Sequence, residues 1–575
     1  MIERKIFGIP GGGKTTYLAT VAIPDACEIY GSENVMVTSF TRSGAKEIAS
    51  KKSRKTGHTV AIPEDNIGTL HSICFHTLQS PKIIETDKQA IGTWNEQHPG
   101  MAISGKSVRG DFFDDVSTDE GETINNAGDQ LLNALNIKRN RMMSDKTGWH
   151  PDLRRFEKSW TEFKDEFQVV DFTDLIDLCL KERPYAPNMP KAFFVDEAQD
   201  CSKLQIALIR SWANNMEELV LVGDDDQAIF TFAGASPDAF LEPDVPEEQK
   251  IMLEQSYRCP VQVFNRAKQL TQKLQKRQKK NYLPRRDQDG EFVQGVVRSS
   301  PATYKKPEDM IREASDIATA GRSVMILATC SYMLESVKVL LRNAGTPFEN
   351  RYRRTRKDWN PLYVSKKFGK DGTRSKATTI EMLNSFLSPG EDAPYWSVED
   401  MCNWAEHLKV GDAGLKRKIG KAGIQALKDA VIRHEEGLHT TREVLSQIMT
   451  DTACERALAR DTKWFVENLK TEKSGSNAFD YAFKVVEAHG REALTAEPKI
   501  LIGTVHSVKG GQADVIYVFP DLSFQADNDM HTSADGEDRA RRVFYVALTR
   551  AYEELVICAP SVKYSSKSPR MFVPL

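Results

Sequence analysis

One short stretch, Gly8-Ile9-Pro10-Gly11-Gly12-Gly13-Lys14-Thr15, constrains this chain more than any other feature. It fits G-x-x-x-x-G-K-[ST], in which glycines let the backbone curl so that its N–H groups face phosphate oxygens. The apolar lead Ile6-Phe7 reads as a strand entering the turn, and Thr16 to Thr20 as the start of a helix leaving it. A helix N-terminus adds its own attraction for an anion. In such a loop Lys14 holds the β- and γ-phosphates as a point charge, and Thr15 gives its hydroxyl to Mg²⁺. By itself the pattern names a nucleotide-phosphate site and no more, so the remaining chemistry has to be found elsewhere in the chain.

A second half of such a site is recognisable far downstream. Lys191-Ala192-Phe193-Phe194-Val195-Asp196-Glu197-Ala198-Gln199-Asp200 is an apolar strand that ends in acids. In parallel α/β sheets ligands sit at the carboxyl ends of strands. Asp196 is therefore expected to hold Mg²⁺ through water, and Glu197 to orient and deprotonate an attacking water. Lys14 and Asp196 stand 182 positions apart (196 − 14), whereas a βαβ unit needs only about 30 residues. Something is inserted between them. Residues 82 to 165 are polar, carry Trp94, Trp149 and Trp160, and read as a mainly helical subdomain.

Leu219-Val220-Leu221-Val222-Gly223-Asp224-Asp225-Asp226-Gln227 is another buried strand with a polar end. The Gln227 amide can both donate and accept, which suits a group that senses a γ-phosphate and a water together. Phe230 and Phe232 follow, two apart. In an extended segment both project to one side, an arrangement suited to base stacking worth about 1–3 kcal/mol per base. The competing reading places both in the core. Arg258 and Arg550 are candidates for reaching a transferring phosphate from beyond the first strands.

Composition narrows the class. Lys and Arg number 78 against 81 Asp and Glu, a net charge of −3. That excludes coating nucleic acid by bulk charge and leaves a local groove with stacking. Two basic stretches, Lys268–Arg286 and Arg351–Lys376, are either such contacts or solvated faces. Nine scattered cysteines form no CxxC pair, so a zinc ribbon, an iron–sulfur cluster or a disulfide framework is not expected. No run of about 18 apolar residues predicts a membrane span, and the charged start is not a signal peptide. A cytoplasmic location is the default expectation.

In their order these segments resemble the UvrD/Rep/PcrA family of superfamily I DNA helicases. Gly8–Thr15 resembles its Walker A motif, Thr38-Ser39-Phe40-Thr41-Arg42-Ser43-Gly44-Ala45 its strand-gripping segment, and Gly68-Thr69-Leu70-His71-Ser72 its GTxHS element. Asp171-Phe172-Thr173-Asp174-Leu175 resembles DFxDL, Asp196–Asp200 the DExQD box, and Gly223–Gln227 is close to GDxDQ. Tyr257-Arg258 matches the YR motif, Thr504–Gly510 is close to THSxKG, and Tyr545–Ala551 resembles YVxxTRA.

The resemblance implies an α/β fold of two RecA-like P-loop lobes with parallel sheets, each carrying a mainly helical insertion. The first lobe would comprise 1–81 and 166–250 with its insertion at 82–165. The second would comprise 251–354 and 496–575 with its insertion at 355–495, where Trp359, Trp396, Trp404 and Trp464 lie. It implies ATP and Mg²⁺ as cofactors, with Lys14, Thr15, Asp196, Glu197, Gln227, Arg258 and Arg550 at the hydrolytic site. Gly8, Pro10, Gly11, Gly12, Gly13, Thr16, Tyr257 and Gln512 would complete the nucleotide pocket, Tyr257 by stacking on adenine. Phe40, Thr69, His71, Phe230, Phe232, Thr504 and His506 would line a track for single-stranded DNA.

The implied activity is 3′→5′ translocation on single-stranded DNA with unwinding of duplex at single/double-strand junctions. The alternative is a translocase that displaces proteins without robust unaided unwinding. There are departures from the family pattern. The glutamine-bearing helix that reads adenine has no counterpart in the seven residues before Gly8. Phe232-Ala233 stands where Trp-Arg is usual, and Gly511-Gln512 where Gly-Leu-Glu is usual, so the ribose contact would be neutral.

Overall fold

The computed structural model describes residues 1–55, 57–59, 61–104, 126–353, 361–362, 407–411, 414–416, 441–459, 461, 464, 467–470 and 479–561. Trp359, Trp396 and Trp404 and the cations from Arg354 to Lys376 lie outside the described residues. The chain forms two compact units, one of Met1–Met310, Ile317–Glu335 and Ile502–Leu575, the other of Ile311–Asp316 and Ser336–Leu501.

The first unit is organised by a sheet of β1 (Ile2–Gly8), β2 (Val35–Ser39), β3 (Ile67–Gly68), β4 (Ala192–Asp196), β5 (Glu218–Gly223) and β6 (Lys250–Leu253) in the order β3-β2-β4-β5-β1-β6. Its pairings are parallel. The sequence explains why. Side chains alternate across a strand, and here both alternating sets are apolar. Phe193, Val195, Leu219 and Leu221 pack on one face with Leu70, Phe172, Leu175, Leu208 and Trp212. Ala192, Phe194, Val220 and Val222 pack on the other with Leu18, Ile23 and Ile48. A sheet buried on both faces needs crossover helices on each side, and this favours parallel strands. The carboxyl ends of β1, β4 and β5 thereby deliver Gly8, Asp196 and Gly223 to one edge.

The remaining strands are β7 (Val296–Ser300), β8 (Val324–Ala328), β9 (Phe348–Asn350), β10 (Ile500–Thr504), β11 (Ala513–Val518) and β12 (Ala551–Cys558). β9 belongs to the second unit. The others stand in the order β7-β12-β11-β8-β10, and β8, β11, β12 and β7 pair in parallel. The expected α/β class with two parallel sheets is thus present. No helix among the described residues is long and apolar enough to cross a membrane. In the second unit Leu408, Leu415, Ile448, Met449, Leu469, Phe479 and Val485 form a separate small core, with Trp464 packed against it.

Among the described residues of 82–165 the regular elements are helices, chiefly Lys88–Gln97, Ala127–Asn140 and Pro151–Phe167. Trp94, Trp149, Phe156, Trp160 and Phe163 make their common core. Asp171 ties this subdomain to the first sheet. It caps the helix Phe172–Glu182 through a capping box with Asp174. It also accepts hydrogen bonds from Arg139 (2.9 and 3.0 Å), Lys164 (2.6 Å) and Trp160 Nε1 (2.9 Å). Burial alone would raise the Asp171 pKa, but Arg139 and Lys164 hold it well below the usual carboxylate range. Lys164→Met should therefore destabilise this unit by about 3–5 kcal/mol, since removing one member leaves a buried charge under-compensated. Chemical denaturation followed by tryptophan fluorescence measures the change.

Candidate active site

The turn after β1 folds as its glycines require. Gly11 and Gly13 sit at φ 67° and 71°, where a side chain is strained. Gly13 caps the short helix Lys14–Tyr17, which continues through Leu18–Ala22 into Ile23–Tyr30. Lys14 makes no hydrogen bond or ion pair among the described residues, although it is only half-exposed. The Thr16 hydroxyl accepts a hydrogen bond from Lys51 at 2.8 Å.

At the end of β4 the Thr15 hydroxyl donates to Asp196 Oδ2 at 3.0 Å. The other oxygen, Asp196 Oδ1, is buried without a hydrogen-bond partner. Burial, and then the neighbouring Glu197 charge, push the Asp196 pKa up to about 7. Glu197 lies in the left-handed region at φ 54°. Burial would raise its pKa too, but Lys509 and Lys14, with a hydrogen bond from Gln199, hold it below the usual range. Ionisation of Asp196 is thus made harder and would be favoured again by a bound cation, while its neighbour stays ionised.

Tyr257 and Arg258 lie directly against the glycine loop. The Tyr257 N–H donates to the Gly11 carbonyl at 2.8 Å, and the Ser256 hydroxyl to the Pro10 carbonyl at 2.8 Å. A Cβ added to Gly11 would come within 2.5 Å of Arg258 Cβ, so no other residue allows this approach. The Tyr257 ring is 67% exposed beside Gly13, which leaves a face open for stacking. Arg258 donates to Gln512 Oε1 at 2.9 Å and more weakly to the carbonyls of Thr549 and Gly510. Arg550 is fully buried and donates to Gln227 Oε1 at 2.9 Å and to the Val546 and Gly511 carbonyls. Neither arginine has a carboxylate partner among the described residues. Burial, and then the charge of Arg258, bring the Arg550 pKa down to about 9. Burial likewise lowers that of Arg258.

All the nucleotide-site residues expected from the sequence therefore gather at one edge. Lys509 was missed, although it stands inside the Thr504–Gly510 motif. Its ammonium pairs with Asp200 and donates to the Gln227 carbonyl at 2.9 Å, and it lies 5.2 Å from the centre of the Phe230 ring. The Lys268–Arg286 stretch is neither a free basic patch nor wholly a solvated face. Arg277 and Lys280 are turned inward as partners of Asp224, Asp225 and Asp226.

The aromatic residues after Gln227 follow a different geometry from the expected extended one. Thr231–Ala233 is a turn of 3₁₀-helix, so Phe230 and Phe232 do not project side by side; their rings meet edge-on, 5.9 Å apart and at 66°. Phe230 is buried, stacked on Phe40 at 5.0 Å and 24°, with His506 at 5.8 Å. Phe232 remains half-exposed, edge-on to His506 at 5.2 Å. Thr69 is buried and caps the helix Leu70–Thr77, while Thr504 Oγ1 accepts from Ser507 N at 3.3 Å. His71 is buried, which pulls its pKa down to about 3 and keeps the ring neutral. Thr69, His71 and Phe40 share the lining of a small cleft with Asp196, so the two groups of candidates adjoin.

The comparison with known proteins agrees with this geometry. The model of the UvrD/REP helicase N-terminal domain matches residues 3–245, and that of the UvrD-like helicase C-terminal domain matches 499–558. The YjcD protein of Bacillus subtilis is 24% identical over 602 residues, spanning 96% of this chain and 76% of its own. ATP-dependent DNA helicase PcrA of Staphylococcus epidermidis is 23% identical over 571 residues, spanning 91% and 76%. PcrA of Staphylococcus aureus is 23% identical over 581 residues with the same coverage. The matched stretches enclose both halves of the cleft, from the glycine loop to Arg550, and the chain belongs to the UvrD/REP helicase family.

Proposed function

We propose that the protein is an ATP-driven motor that travels 3′→5′ along single-stranded DNA and separates duplex at single/double-strand junctions. The observation that carries this reading is the gathering of Lys14, Arg258 and Arg550 at one edge with no carboxylate partner among the described residues. Buried cations are costly unless compensated, so such a cluster calls for a compact anion of high charge.

The residues present fit a magnesium nucleotide. The turn at Gly11 and Gly13 leaves backbone N–H groups for phosphate, and the unpartnered Asp196 Oδ1 beside the Thr15 hydroxyl suits a hard cation with oxygen ligands. Bound ATP supplies the phosphoanhydride whose hydrolysis drives the cycle. Gly8, Pro10, Gly11, Gly12, Gly13 and Thr16 would shape the phosphate loop, and Thr15 and Asp196 would hold Mg²⁺. Tyr257 would stack on the base and Gln512 would meet the ribose. Glu197, kept ionised by Lys14 and Lys509, would take a proton from the attacking water. Lys14, Arg258 and Arg550 would stabilise the charge that develops on phosphate.

The lobes assigned above, 1–81 with 166–250 and 251–354 with 496–575, would part when that charge leaves, because mutual repulsion of the cations is then offset only in part, by Glu197. Phe40 and Phe232 would meet bases directly. Thr69, His71, Phe230, Thr504 and His506 would shape the track from behind. Opening duplex costs about 1.4 kcal/mol per base-pair step, within reach of one ATP per step.

Arg550→Ala should lower DNA-stimulated ATP turnover by about 10³-fold or more; unchanged turnover in a steady-state phosphate-release assay would remove Arg550 from the site. Phe232→Ala should weaken binding of an oligo-dT strand by about 1–3 kcal/mol, read by fluorescence anisotropy. Strand displacement on partial duplexes should require a 3′ tail, and equal displacement from a 5′ tail would defeat the assigned polarity.

A further inference from the structure

Asp224, Asp225 and Asp226 are consecutive and all fully buried. The Lys280 ammonium sits among them, 2.8 Å from Asp224 Oδ1, 2.5 Å from Asp225 Oδ1 and 3.1 Å from Asp226 Oδ2. Arg277 forks onto Asp226 at 2.6 and 3.0 Å, and the Tyr282 hydroxyl donates to the same carboxylate at 2.6 Å. The Gln278 N–H donates to Asp225 Oδ2 at 2.9 Å. Replacing a buried ion cluster by apolar side chains is often neutral or stabilising, so holding the chain together is a weak reason for this one. Its outlet gives a stronger reason.

Asp224 uses Oδ1 for Lys280 and for the Asp226 N–H at 3.2 Å, and Oδ2 to accept from Gln227 Nε2 at 2.6 Å. With its NH₂ directed at Asp224, the amide turns its oxygen the other way, and that oxygen accepts from Arg550 Nη2 at 2.9 Å. A flipped amide would set its oxygen against the Asp224 carboxylate and its NH₂ against the Arg550 guanidinium, two like-for-like contacts. The flip stays forbidden while Asp224 is an acceptor only. The Val546 and Gly511 carbonyls hold Arg550 from its own side, so the Gln227 oxygen is the side-chain acceptor that aims it.

We infer that Lys280 is a positioning residue for ATP hydrolysis: through Asp224 it sets the direction of the Gln227 amide, and through Gln227 the pose of Arg550. This rests on the ATPase reading above. Lys280 stands outside the nucleotide contacts, and its effect travels along one line of hydrogen bonds, Lys280–Asp224–Gln227–Arg550.

Such a line predicts non-additivity, which a merely structural lysine would not produce. ATP turnover with saturating oligo-dT is measured for the wild type, Lys280→Met, Gln227→Ala and the double variant, with a melting curve for each. Lys280→Met is expected to lower kcat about tenfold or more while KM for ATP moves less than about threefold. In the Gln227→Ala background the same substitution should then cost less than about twofold. Equal losses in both backgrounds would overturn the inference.

If Lys280→Met does not fold, the near-isosteric Asp224→Asn decides. Its oxygen would face Lys280 and its NH₂ would face Gln227, which turns the amide over. A loss of kcat close to that of Gln227→Ala supports the relay, and wild-type kcat overturns it. A wild-type protein without DNA-stimulated ATP turnover would instead refute the ATPase reading itself, a result distinct from either.

Discussion

Lys14, Arg258 and Arg550 are brought to one edge with no carboxylate among their described hydrogen-bond or ion-pair partners, Glu197 alone easing the charge of all three from nearby, and on the proposed reading this excess of positive charge is what a nucleotide would answer. Arg550 is held by an amide and two carbonyls, and its own pKa falls to about 9 under burial and the field of Arg258. Neutral acceptors can orient a guanidinium without cancelling its charge. A salt bridge in the same place would satisfy the arginine and remove its affinity for phosphate. Neutral Gln512 follows the same logic: it fixes the direction of Arg258 through Oε1 and leaves its charge available.

The carboxylates are handled in the opposite way. Asp224, Asp225 and Asp226 are paired with Lys280 and Arg277, and Asp171 and Asp174 with Arg139 and Lys164. Asp196 and Glu197 are less completely compensated, Asp196 short of a partner on Oδ1 and raised to about 7, Glu197 kept ionised by nearby lysines. The molecule thus sorts its buried charges. Some are compensated by internal partners, and others are left less compensated where the proposed function places a magnesium nucleotide.

The aromatic residues show a similar division. Phe230 is locked between Phe40, His506 and the Lys509 ammonium. Lys509 in turn holds Asp200 and the Gln227 carbonyl. Gln227, proposed for the nucleotide site, and Phe230, proposed for the strand track, are therefore in one contiguous set of contacts. Such physical continuity can carry coupling between distant sites where an element has two arrangements.

Much was legible in the residues alone. The glycine loop, the strands ending in Asp196 and Gly223, and the Tyr257, Arg258 and Arg550 motifs could be read because local chemistry dictates them. Glycine is needed where φ is positive, and two-sided apolar strands are needed for a parallel sheet. What the sequence could not show was which polar group meets which. Lys280 and Arg277 looked like a surface run, because a charge pattern does not reveal that its partners lie more than fifty positions away at Asp224–Asp226. Phe230 and Phe232 looked equivalent, and a single 3₁₀ turn buried one and left the other half-exposed. The sequence by itself determined the fold class and the chemistry at the ends of the strands, because these follow from backbone sterics and burial within a few residues. The tertiary structure decided which cations stay free and which way the Gln227 amide points, because those depend on partners that only folding brings within 3 Å.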